Sequence, residues 1–149
     1  MIANGVSCAL FKFVCLVATV VFTNITAQSQ SGTWTDPATG LTWALHDNGK
    51  AVNWSQANNY CRNLNLAGYT NWRLPTIDEL AAMHDPNRAN RMHIKGGIQV
   101  TGWEWSSNTQ NAFGEISART FDFSYGRRDS YPAQRDIPLR ALCVRRSGN

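Results

Sequence analysis

Charge is scarce in this chain: Asp, Glu, Lys and Arg make up 16% of its 149 residues, and no block of like charges exceeds two. With 11% aromatics, that composition excludes a disordered, solvated chain, which is charge-rich and aromatic-poor. No heptad, Gly-x-y period, internal repeat or low-complexity tract occurs, so coiled-coil, collagen and solenoid architectures are excluded. No apolar run reaches the about 20 residues that a membrane-spanning helix needs. Cysteine is sparse, and there is no Cys-x-x-Cys, the spacing of redox and zinc motifs. What is present is enough chain for one domain, which at this size buries roughly two-thirds of its unfolded surface. The formal charge of +4 is too mild to imply a nucleic-acid ligand, and none is expected.

The first residues differ from the rest. Lys12 is the only charged side chain in residues 1–27, and the ten-residue apolar run 13–22 follows it. A polar stretch then ends in Ala27, a small residue suited to the position before a cleavage site. This order reads as a secretory signal peptide, with an uncleaved anchor as the alternative. One domain over residues 28–149 then remains, periplasmic or secreted, with no membrane span in the mature chain. It keeps two cysteines, Cys61 and Cys143. In an oxidising compartment two such distant cysteines most simply pair. A redox or nucleophilic thiol is the alternative, without a local motif to support it.

Residues 33–45 read as a hairpin: Asp36-Pro37-Ala38-Thr39-Gly40 has turn chemistry, and Leu41, Trp43 and Leu45 alternate onto one face. Asn53 is a helix N-cap candidate ahead of Trp54, Ala57, Cys61 and Leu64 at helical spacing. Thr76-Ile77-Asp78-Glu79 is a capping box that opens a second helix, stopped by Asp85-Pro86. Residues 85–102 show no clean period and read as a long irregular loop with a turn at Gly96-Gly97. Strands are expected over 103–107, over 116–125 with Phe121, Phe123 and Tyr125 on one face, and over 138–146; residues 126–129 are expected to form a turn. Helices confined to one part of the chain, with strands around them, predict an α+β fold with a small, mostly antiparallel sheet.

The blocks Asp36-Pro37-Ala38-Thr39-Gly40-Leu41-Thr42-Trp43, Tyr60-Cys61, Asn71-Trp72-Arg73-Leu74-Pro75-Thr76 with Glu79-Leu80, Trp105-Ser106-Ser107 and Arg140-Ala141-Leu142-Cys143-Val144-Arg145 carry a resemblance. In that order they resemble the Lcl C-terminal domain family, named from a bacterial collagen-like adhesin. The resemblance implies a C-type-lectin-like fold, bacterial export and an adhesin-like binding role rather than catalysis; family members in surface adhesins are associated with glycan binding. Within it, Trp72, Arg73, Leu74, Pro75, Thr76, Glu79 and Trp105 read as structural: Trp72 and Leu74 as buried anchors, Glu79 as a cap, and Arg73 as held by hydrogen bonds or a carboxylate.

Four functional readings follow. A calcium lectin site lacks its motifs; Asp85, Asn87 and Glu104 are scattered oxygens, and no metal or other cofactor is expected. An anionic-ligand surface is suggested by the charge distribution: the C-terminal third, residues 107–149, holds seven arginines against four acids, whereas residues 28–106 balance. Arg119, Arg127, Arg128 and Arg135, with Tyr125 and Tyr131 for stacking, are its candidate residues for an anionic or sulfated glycan. An enzyme is suggested only by Trp103-Glu104-Trp105, similar to a motif of the formylglycine-generating enzyme family; no catalytic residues are assigned, and His46, His84 and His93 lack metal-ligand spacing. A protein-binding or surface-assembly module, with a surface or periplasmic protein as partner, would use the 85–102 loop with Arg88, Arg91 and Lys95.

Overall fold

The computed structural model describes residues 32–89 and 91–147; the expected signal peptide lies outside them. The chain runs β1 (Thr33–Thr35), β2 (Leu41–Ala44), α1 (Trp54–Arg62), α2 (Ile77–Met83), β3 (Trp103–Ala112), β4 (Glu115–Asp122), β5 (Arg127–Pro132), β6 (Leu139–Arg140) and β7 (Val144–Arg146). The fold is α+β. One sheet has the order β1-β2-β7, antiparallel throughout; the other has the order β5-β4-β3-β6, antiparallel except for the short β3–β6 pairing.

Local chemistry explains the boundaries. Asp36 turns the first hairpin by accepting from Ala38 N and Thr39 Oγ1. Asn53 caps α1 and Gln56 returns the bond, so that helix also opens on a capping box. Thr76 and Glu79 do the same for α2. Arg73 is held as expected: Nη2 and Nη1 donate to Oε1 and Oε2 of Glu79 at 2.7 and 2.8 Å. Trp72 and Leu74 are buried.

The four-stranded sheet separates two apolar clusters. On one side lie α1, Trp72, Leu74, Trp105, Ala118, Ala141 and Cys143; on the other lie α2, Trp43, Phe121, Phe123, Leu142 and Val144. The last strand segment therefore feeds alternate side chains to both clusters, and Cys61 of α1 is disulfide-bonded to Cys143 within the first.

Four expectations change. The strand expected over 103–107 runs on to Ala112, because β4 pairs with it as far as Glu115. Residues 138–146 form two short strands rather than one, because each half pairs with a different sheet: Leu139 with Trp103 of β3, and Val144 with Trp43 of β2. The turn after β4 comes earlier than 126–129. Asp122 Oδ1 accepts from Ser124 N, Gly126 adopts φ +66 against His84, and Arg127 and Arg128 enter β5. Tyr125 thus leaves the buried face of Phe121 and Phe123 and is exposed. The 85–102 loop is irregular but anchored, since Ile94, Ile98 and Val100 are buried in the second cluster. Its reversal needs glycine at Gly96, where φ is +71 and a Cβ would fall 2.2 Å from the Trp34 ring.

Candidate ligand-binding surface

β5 is the edge strand of its sheet, and its register sorts the predicted residues. Asp122 pairs with Arg127, Phe121 with Arg128, and Ala118 with Tyr131. Directly paired residues share a face and successive residues alternate. Arg127, Asp129 and Tyr131 therefore share the α1 face, whereas Arg128 and Arg119 point to the α2 face. There Arg128 Nη1 meets Asp78 Oδ1 at 2.8 Å. Arg127 is exposed and makes no ion pair among the described residues. The two neighbouring arginines are not one patch.

At the far end of β5, Tyr131 meets Trp103 of β3 edge to face, with ring centroids 6.0 Å apart. These two rings and Ile137, Pro138 and Leu139 line an open cleft of about 270 Å³. The Tyr131 hydroxyl points to Asp129 Oδ2 at 3.5 Å. Partial burial and the Asp129 carboxylate raise its pKa above the ordinary tyrosine value, so it stays a neutral donor. Trp103 was not among the predicted ligand residues. Its signal is the two-residue spacing to Trp105: both lie on the same face of β3, but Trp105 is fully buried with Nε1 bonded to Val52 O, while Trp103 remains half-exposed at the cleft.

The near end of β5 receives the loop. Ser124 Oγ donates to Met92 Sδ at 3.3 Å, so the segment carrying Arg91 and His93 sits beside the turn that exposes Tyr125. Arg88 is engaged with Asp85 at 3.6 Å, and Lys95 Nζ donates to Ala82 O at 2.6 Å. Arg135 lies elsewhere, in a groove beside the β3–β4 turn. Arg119 is half-buried with its Nε unpartnered. Of the remaining C-terminal arginines, Arg140 donates to Thr101 Oγ1, and Arg145 lies 3.7 Å over the Tyr69 ring and bonds Asn71 Oδ1. The arginine excess is thus dispersed over several faces, with part of it structural.

Asp85 and Glu104 do not share a site: Asp85 turns the loop through Asn87 N, and Glu104 is fully buried on β3. Among the described residues no three His, Cys, Asp or Glu side chains are placed to hold a metal, and no helix is long and apolar enough to cross a membrane. Compared with known proteins, the chain matches the family model described as the Lcl C-terminal domain over residues 32–145. No curated protein matches it.

Proposed function

Since the chain belongs to the Lcl C-terminal domain family, we propose that it is an exported, adhesin-like binding module whose ligand is a glycan bearing acidic groups, laid along β5. The observation that carries this reading is the arrangement on that strand. The Trp103–Tyr131 cleft lies at one end, exposed Tyr125 lies at the other, and Arg127 lies between them with no ion-pair partner among the described residues. Aromatic faces suit the apolar faces of sugar rings, and the guanidinium fork suits a sulfate or carboxylate. Asp129, beside Tyr131, is an acceptor for sugar hydroxyls. At about 3.3 Å per residue, the six residues of β5 span roughly 20 Å, enough for several sugar units. Residues 1–27 supply the export signal in this reading, and Arg91 of the loop flanks the Tyr125 end. No metal takes part.

The test is binding of sulfated and neutral polysaccharides at low and high salt, by calorimetry. Sulfated ligands are expected to bind more tightly and to weaken as salt rises, because condensed counterions are released on binding. Tyr131→Ala and Trp103→Ala should weaken both ligand types, and Arg127→Ala should flatten the salt dependence. Absence of any polysaccharide signal at low salt defeats the reading.

A further inference from the structure

The outer part of the β3–β4 hairpin projects from the fold. All ten residues from 107 to 116 are exposed; β5 pairs with β4 out to Ser117, and the chain that follows adds one last bond, from Ala133 N to Ile116 O. Beyond that bond the hairpin is held by its own Ala112–Glu115 pair and the turn. A two-stranded ribbon with no covered face is marginal in water by itself.

Its tip breaks two local rules at once. Phe113 and Gly114 are the central residues of the turn, with φ +53 and +83. Both central positions of such a turn favour Asn, Asp or Gly, and a bulky side chain rarely adopts positive φ. Phe113 is also 108% exposed, and Ile116 beside it is 47% exposed. Sequences depart from local preference in this way chiefly where function requires it.

Immediately beside this knob is a hole. A groove of about 470 Å³ is lined by Gly114, Glu115, Ile116, Pro132, Gln134 and Arg135. Knob and groove share the same turn, so they are adjacent on one surface. Two copies related by a two-fold axis at that point would place each Phe113 in the partner's groove, a self-complementary contact. Charge supports the same occupant. The charged side chains that line the groove are Glu115 and Arg135, one of each sign. The same symmetry sets Glu115 against the partner's Arg135.

We infer that the β3–β4 hairpin is a self-association device: Phe113 of one copy enters the groove beside the hairpin of a second copy, and Glu115 and Arg135 pair across the two-fold axis. The contact is small, which corresponds to a weak, reversible dimer.

Analytical ultracentrifugation of the oxidised protein tests it. The weight-average mass should rise from one chain toward two between about 10 μM and 1 mM. Phe113→Asn should remain monomeric over that range while its Tm is unchanged or higher, because Asn tolerates the turn conformation; lost association is then separable from lost folding. Arg135→Glu and Glu115→Arg should each abolish association alone, and an equimolar mixture should restore it, since only the mixed pair has opposite charges at both contacts. A wild-type monomer at about 1 mM overturns the inference. So does association that survives Phe113→Asn, or a mixture that stays monomeric. Wild-type protein that sediments with lipid vesicles through Phe113 but never dimerises would assign the tip to a membrane surface instead. Phe113→Asn leaves the β5 ligand surface intact, so polysaccharide binding reports separately on that reading.

Discussion

At the scale of single residues, the molecule separates charged side chains that are engaged within the fold from those that are not. Arg73, Arg128 and Arg145 each have a partner within the fold, and Arg127 has no ion-pair partner among the described residues. Arg127→Ala is therefore expected to weaken sulfated-ligand affinity several-fold without lowering Tm, as measured by calorimetry and thermal unfolding. Glu104 is engaged within the fold at an unusual cost. Its carboxyl is fully buried, facing the Asp47 carboxylate, the Leu142 backbone N–H and Arg140. Burial, reinforced by Asp47, pushes its pKa well above the ordinary value against the weaker opposing effects of the Leu142 backbone N–H and Arg140. The folded state then holds a proton that the unfolded state releases above about pH 4.3, so stability falls as pH rises from that value through the raised folded pKa. Glu104→Gln keeps a neutral donor there. It should raise Tm at pH 8 and change it little at pH 4; equal effects at both pH values would show that Glu104 is not held protonated.

At the scale of elements, two short helices depend on their first turns. α1 has nine residues and α2 seven, lengths at which a helix in water is not self-sustaining. Asn53→Ala should cost about 1 kcal/mol by removing the bond to Gln56 N, as read by denaturant unfolding. Glu79→Ala removes both a cap and the Arg73 fork, and about 2 kcal/mol is expected, with the ion-pair share small because both side chains are partly exposed. Burial works against the Glu79 charge, but bonds from Arg73 and Thr76 outweigh it and lower the pKa. Its contribution is present above about pH 4.3 and fades as pH falls through the lowered value, so the Glu79→Ala deficit should shrink in acid. Both caps were legible in the sequence because capping is chemistry over four residues. The Gln56 half of the α1 box follows the same spacing, but it passes unnoticed beside the stronger Thr-x-x-Glu signature. The strand ends were less legible. Arg127 and Arg128 follow a glycine and read as a turn, yet the Asp122 bend and the space left by Gly126 beside His84 move the reversal upstream.

At the scale of the whole molecule, the Cys61–Cys143 disulfide spans 82 positions and joins α1 to the chain that runs between the two apolar clusters. In the chain-entropy view a loop of that length stabilises the fold by about 4 kcal/mol, less any native strain. Reduction, or Cys61→Ser with Cys143→Ser, should lower Tm by roughly 15 °C. A Tm insensitive to reductant would mean that the two clusters hold the ends together without the disulfide. The long loop also belongs at this scale: three of its apolar residues close the second cluster, so only its outer residues are available to a ligand.

What the sequence determined by itself was everything carried by short-range chemistry and by order: the α+β plan, the two helices and their caps, the need of Arg73 for hydrogen bonds or a carboxylate, the disulfide between Cys61 and Cys143, and the family that the ordered blocks resemble; that Glu79 is the carboxylate came from the structure. Only the tertiary structure decided which side chains face one another across strands. Strand register is a non-local choice, and a shift of one residue moves a side chain to the opposite face. That choice separates Arg127 from Arg128, brings Trp103 to Tyr131 from another strand, and leaves Phe113 beside a groove whose far wall comes from residues 132–135.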